Sequence, residues 1–163
     1  MNNLHTIFSE SQSLREYVDV HLIVDQFPRQ FNYWRNVARL FASSDYVFTL
    51  DVDFKPLTDI KKHFMTHEKD RERLENGCAM FVVPAFENRD DFKDAFNVKT
   101  KNQLVSLYKD GYMKMFHDRW EKGHGATNYA KWINTNESYS VSESDYNSSY
   151  EPYVIMKKHG FPW

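Results

Sequence analysis

Apolar and polar positions along the chain change their period several times, and each change marks an expected element. Residues 17–25, "YVDVHLIVD", alternate and then run apolar, as a strand buried on both faces does, with Asp25 closing it. In the following "FPRQFNYWRNVARLFASSD", Phe31, Trp34, Val37, Ala38 and Phe41 recur at spacings of three and four, the pattern of an amphipathic helix. Residues 46–50, "YVFTL", are β-branched and aromatic and predict a second buried strand. Strand, helix, strand is the order of a βαβ unit, whose parallel strands require a crossover of this length.

The charged segment "TDIKKHFMTHEKDRERLENG" predicts a helix with Thr58 at its N-cap and Gly77 at its stop. "CAMFVVPAFE", residues 78–87, predicts a third strand ended at or soon after Pro84. Residues 99–117 place Leu104, Leu107 and Tyr108 on one helical face, interrupted at Gly111. Beyond them, Gly, Ser, Asn and aromatic residues follow with no sustained period, which predicts an ordered loop or edge insertion before a final strand in "YVIMKK". No internal repeat or interdomain linker interrupts this order, and 163 residues correspond to about one domain.

Composition narrows the function classes. With 41% hydrophobic and 17% aromatic residues the chain can bury a core, while 27% charged residues keep its outside wet; the mean hydropathy is -0.72. The net charge is -2 and the basic residues are scattered among acidic ones, so nucleic acid is not an expected partner. No run approaches the roughly 18 apolar residues of a membrane span, and the first residues lack the basic start and apolar middle of a signal peptide. Cys78 is the single cysteine and sits in strand-like sequence, which predicts a buried side chain and excludes an internal disulfide. Asn136 and Asn147 head N-glycosylation sequons that permit a secretory location.

The strand at residues 46–50 stops on Asp51 and Asp53, one residue apart, near its carboxyl end, where open α/β sheets bind ligands. On a regular strand the two carboxylates would face opposite ways, and on a turning backbone they would share a side. Two neighbouring carboxylates repel at neutral pH unless a divalent cation relieves them, and hard oxygen donors favour Mg²⁺ or Mn²⁺ with a shell completed by water and phosphate. The bland reading is a pair of surface aspartates capping a loop.

Four stretches carry a resemblance to a known family: "FNYWRNVAR", "YVFTLDVDF", "GHGATNYAKW" and "YEPYVIMKK", in that order. With them the chain resembles the LARGE-like glycosyltransferases, glycosyltransferase family 49. The resemblance implies a GT-A α/β fold, mostly parallel with flanking helices and here incomplete, over residues 1–163. It implies metal-dependent, inverting transfer of a sugar, glucuronic acid or another hexose, from a UDP-sugar donor to a glycan or glycoprotein acceptor. By the same resemblance Asp53 is the direct Mn²⁺ ligand, with Mg²⁺ as a substitute, and Asp51 acts in the metal shell or at the ribose. Arg35 and Asn36 become donor contacts; otherwise Arg35 and Arg39 are helix-surface charges of small worth. His124, Asn128 and Trp132 become residues of the acceptor cleft, against the alternative that Trp132 and Tyr129 anchor the loop and His124 is a turn residue.

The family pattern continues at both ends beyond this chain, to a first βα segment and to a histidine that completes the metal site, so the resemblance implies a fragment of a longer enzyme. No catalytic base is assigned: Glu87, Asp90, Asp91 and Glu121 read as ordinary solvated carboxylates. Family members are Golgi-lumenal proteins with an N-terminal membrane anchor. The competing reading is a non-catalytic glycan- or nucleotide-binding relative. A phosphatase with catalytic aspartates ranks last, because its later Lys and acidic pair are not found.

Overall fold

The computed structural model describes residues 2–89, 97–141, 144, 146 and 148–159. Asp90, Asp91 and Asn147, which heads a sequon, lie outside them. The chain divides into two compact units, the first ending at Ala42 and the second beginning at Ser43.

The first unit is helical. Helix α1 spans Asn2–Glu10 and α2 spans Gln12–Tyr17, with the Ser11 side chain accepting the Leu14 N–H and so satisfying a donor of the first turn. Helix α3, Phe31–Phe41, matches the amphipathic period read from the sequence. The strand expected over residues 17–25 is not formed. Tyr17 ends α2, and the residues after it run without a ladder partner. Alternation prepares a segment for a sheet, but a strand exists only when a neighbour satisfies its N–H and C=O groups. Asp25 does not close a strand either: its Oδ1 accepts the Phe27 N–H at 2.8 Å and its Oδ2 accepts the Trp34 indole N–H at 3.0 Å, tying the turn to α3.

The second unit holds two small antiparallel sheets. Strands β1 (Tyr46–Phe48), β2 (Phe81–Val83) and β5 (Tyr153–Lys157) form one, in the order β1-β5-β2. Val47 faces Met156 on one side of β5, and Val82 faces Val154 on the other. Strands β3 (Phe86–Asn88) and β4 (Met113–Met115) form the second, with Glu87 opposite Lys114. Both sheets are antiparallel among the described residues, so the parallel βαβ unit expected around α3 and β1 is replaced by pairing of β1 with the last strand in sequence. Local periodicity cannot distinguish these pairings, since it reports which residues are apolar and not which strand lies alongside.

The single strand expected over residues 78–87 is two. Pro84 has no N–H to give a ladder, and the chain changes sheet there. Cys78 is exposed, a correction to its expected burial, because it precedes β2 instead of lying in it. The long charged helix is likewise two, α4 (Ile60–Thr66) and α5 (Glu68–Glu75), broken at His67 and capped by Asp59 in place of Thr58. Gly77 follows with φ +66°, as a helix stop does. Helix α6, Lys101–Lys109, begins at the Thr100 cap, and the chain after Gly111 enters β4 where a longer helix was expected.

Leu104 is buried with Val98 and Met113, and Leu107, Tyr108, Phe86 and Trp132 pack around them, so the helical face read from the sequence does face a core. The centre of the other sheet is β5, where Val154 and Met156 are each only 1% exposed. A kinked 3-10 segment, Asp118–Gly123, and the short helix α7, Tyr129–Asn134, complete the unit.

Candidate functional site

Strand β1 ends at Phe48, one further bond follows from the Thr49 N–H to the Val154 carbonyl at 3.0 Å, and the chain then turns. The Phe54 N–H closes that turn on the Asp51 carbonyl at 3.1 Å. Asp51, Val52 and Asp53 are all exposed on it. Strand alternation therefore does not govern the two carboxylates.

Asp51 is held from below. The hydroxyl of Tyr153, a buried residue of β5, donates to Asp51 Oδ2 at 2.6 Å. Tyr153 is itself fixed by its register opposite Val83 and by Phe54, whose ring centroid is 4.9 Å away. Phe54 also meets Phe116 edge-on at 4.7 Å. An apolar floor thus lies under the aspartate turn, and a carboxylate with one anchored oxygen still has acceptor capacity on the other.

His124 closes the far side of this floor. It is buried, 5.8 Å from Tyr153 and 5.1 Å from Phe116 between ring centroids. Burial pushes its pKa down, the nearby His117 acts in the same direction, and Asp51 and Glu87 pull the other way, so its imidazole is neutral at neutral pH. Two glycines flank it in close quarters. A Cβ on Gly123 would stand 2.7 Å from a ring carbon of Trp120, and one on Gly125 would stand 2.6 Å from the Glu121 carbonyl oxygen. The glycines allow backbone to approach where a side chain would collide, and His124 lies in a turn, its N–H donating to the Glu121 carbonyl, in line with the turn-residue alternative.

No group of three or more His, Cys, Asp or Glu side chains gathers as a metal cage among the described residues. Asp51 and Asp53 supply instead two exposed, hard carboxylates. That donor set suits Mn²⁺ or Mg²⁺, which keep waters and draw on a substrate's phosphates. The residues present fit such an ion as part of its shell.

The other residues singled out in the sequence lie in varied settings. Asn128 caps α7, its Oδ1 accepting the Lys131 N–H at 2.8 Å while its carbonyl accepts the Tyr139 hydroxyl. Trp132 packs on Phe86 with centroids 5.0 Å apart, and the Lys101 ammonium lies 4.2 Å from its ring centroid. These are structural environments, in line with the loop-anchoring alternative, and Tyr129 does the same through its hydroxyl to the Ala85 carbonyl. Arg35 and Asn36 are half-buried on α3, where Arg35 donates to Asn32 Oδ1 at 3.3 Å. Of the carboxylates set aside as solvated charges, Glu87 pairs with Lys114 at 3.3 Å and lines an open depression of about 440 Å³ with His117, Asp118, Arg119 and Trp120.

Three residues of this region escaped the sequence reading. Tyr153 was visible only as a strand residue, because nothing local shows which neighbour its hydroxyl meets. His117 and Trp120 were hidden in what read as a helix end and a loop.

A family model described as a glycosyl-transferase for dystroglycan matches residues 5–163. The chain belongs to glycosyltransferase family 49. Among curated relatives, this family-49 chain is 32% identical over 154 residues to the xylosyl- and glucuronyltransferase LARGE2s of Gallus gallus, covering 92% of the chain and 20% of that relative. It is 31% identical to the xylosyl- and glucuronyltransferases LARGE1 of Mus musculus and of Homo sapiens, over 92% of the chain and 19% of each. The chain therefore spans about a fifth of the length of the curated relatives it matches. No helix among the described residues is long and apolar enough to cross a membrane.

Proposed function

We propose that this family-49 chain carries the donor-binding part of a GT-A glycosyltransferase that moves a sugar, with inversion, from a UDP-sugar to a glycan or glycoprotein acceptor in the Golgi lumen. The observation that carries the reading is the aspartate turn, with Asp51 anchored by the buried Tyr153 and Asp53 exposed beside it. The relatives' names, xylosyl- and glucuronyltransferase, favour glucuronic acid or a similar sugar as the transferred group.

Asp53 would hold Mn²⁺, or Mg²⁺ in its place, and Asp51 would assist through its remaining oxygen or at the ribose. Bound there, the cation supplies neutralisation of the charge that develops on the departing diphosphate. The chain's own residues do the rest: Tyr153 keeps Asp51 oriented, and neutral His124 places no positive charge beneath the site. Arg35 and Asn36 are the donor contacts in this reading. An inverting transfer uses one general base at the acceptor hydroxyl.

Calorimetric titration of UDP into the purified chain, first with Mn²⁺ and then with EDTA, tests the proposal. Binding that requires the metal is expected, and Asp53→Asn should abolish it while the far-UV circular dichroism stays unchanged. Metal-independent binding, or full binding by that variant, would overturn the assignment of Asp53. Metal-dependent binding of UDP-sugars without turnover in the full-length protein would identify a binding module instead of an enzyme.

A further inference from the structure

The depression lined by Glu87, Lys114, His117, Asp118, Arg119 and Trp120 belongs to no residue set described above as donor-binding. Its volume of about 440 Å³ lies within the range of small-ligand sites. Two ion pairs cross its walls. Lys114 reaches Asp118 at 3.0 Å and Glu87 at 3.3 Å, bridging β4 to β3 and to the following segment.

Two backbone features mark the same place. His117 has φ +53°, in the left-handed region that residues other than glycine seldom adopt, and the Trp120 N–H donates to its carbonyl at 2.7 Å. Trp120 departs from helical geometry within its 3-10 segment, at φ -128° and ψ 69°. Beyond this turn the indole lies against the Gly123 backbone and is still 44% exposed. A large aromatic surface is thus left beside carboxylate, ammonium and guanidinium groups.

That combination selects among ligands. Glu87 and Asp118 offset Lys114 and Arg119, so the depression offers no surplus of positive charge for a diphosphate. Lys114 holds the Asp118 carboxyl below the usual carboxylate range, which keeps it an ionised acceptor. A pyranose answers both features, with an apolar C–H face for the indole and hydroxyls that donate to carboxylates and accept from Lys and Arg. The rim is also coupled to the aspartate turn: His117 stacks on Phe116 at 3.8 Å, and Phe116 meets Phe54, the residue after Asp53.

We propose that this depression is a saccharide subsite for the acceptor, with Trp120 as the stacking platform and Glu87, Lys114, Asp118 and Arg119 as hydroxyl partners. Its role as the acceptor side rests on the glycosyltransferase reading; sugar binding itself does not.

The test follows the indole N–H signals of the ¹⁵N-labelled chain while methyl β-glycosides of xylose, glucose, galactose and glucuronic acid are added. Trp120 is assigned by the signal missing from Trp120→Phe. A saturable shift of the Trp120 signal with at least one glycoside is expected. Trp120→Ala should weaken binding of that glycoside, followed by saturation-transfer signals, about tenfold or more, while Trp120→Phe retains most of it. Gly123→Ala, which displaces the ring without removing it, should weaken it as well. Trp120→Ala should leave metal-dependent UDP binding unchanged, and Asp53→Asn should leave the sugar shift unchanged, so the two readings fail separately. No saturable Trp120 shift with any of the four glycosides, or equal affinity in a folded Trp120→Ala chain, would overturn the subsite.

Discussion

Tyr153 shows how a single hydroxyl can define a site. Its ring belongs to the core of a sheet, while its oxygen reaches Asp51 at 2.6 Å, so one residue ties buried packing to an exposed carboxylate. Removing only the hydroxyl, in Tyr153→Phe, keeps the ring contacts with Phe54 and frees Asp51 to rotate. Partners that orient a metal ligand are typically worth about 10- to 100-fold in metal affinity, so Mn²⁺ binding should weaken by at least about tenfold. Isothermal titration of Mn²⁺ alone, without nucleotide, measures this. An unchanged dissociation constant would mean that Asp51 needs no support or that it does not serve the metal.

At the scale of elements, β5 decides the second unit. It is the central strand of the three-stranded sheet, pairs on both edges, and carries, among the described residues, the two most deeply buried large side chains, Val154 and Met156. Met156→Ala should therefore cost about 2–5 kcal/mol, the range for emptying a well-packed site, read as a lower urea midpoint. A loss under about 1 kcal/mol would mean that the surroundings close over the gap and that this sheet is not tightly packed. The importance of β5 also explains why the N-terminal reading of the sheet failed. Residues 17–25 have the apolar alternation of a strand, yet β1 finds its partner more than a hundred residues downstream, at Tyr46 opposite Lys157. Helical faces were easier to read. α6 declares its inner side through spacings within a few residues, with Leu104, Leu107 and Tyr108 packed as their period requires; for α3 the period gave the helix, while Phe31 and Phe41 of its apolar stripe stay exposed.

For the molecule as a whole, the buried His124 predicts how stability responds to pH. Its folded-state pKa is depressed below the ordinary 6.5, first by burial and then by His117, with Asp51 and Glu87 opposing. The unfolded chain therefore binds the proton first on acidification. The contribution of neutral His124 is complete above about 6.5 and is lost as pH falls from there through the folded pKa. Urea midpoints at about pH 7.5 and 5.5 should differ in the native chain, and the difference should shrink in His124→Gln, which cannot take up the proton. The same pH response in that variant would assign it to other groups.

What residues 1–163 determined unaided was the membership in family 49, the aspartate pair, the amphipathic helices and the last strand, because each rests on residue types or on short periods along the chain. Tertiary structure alone decided the antiparallel pairing through β5, the change of sheet at Pro84, the exposure of Cys78 and the meeting of Tyr153 with Asp51. Those are contacts between distant parts of the chain, and their energies depend on which surfaces come together, a quantity that no local pattern contains.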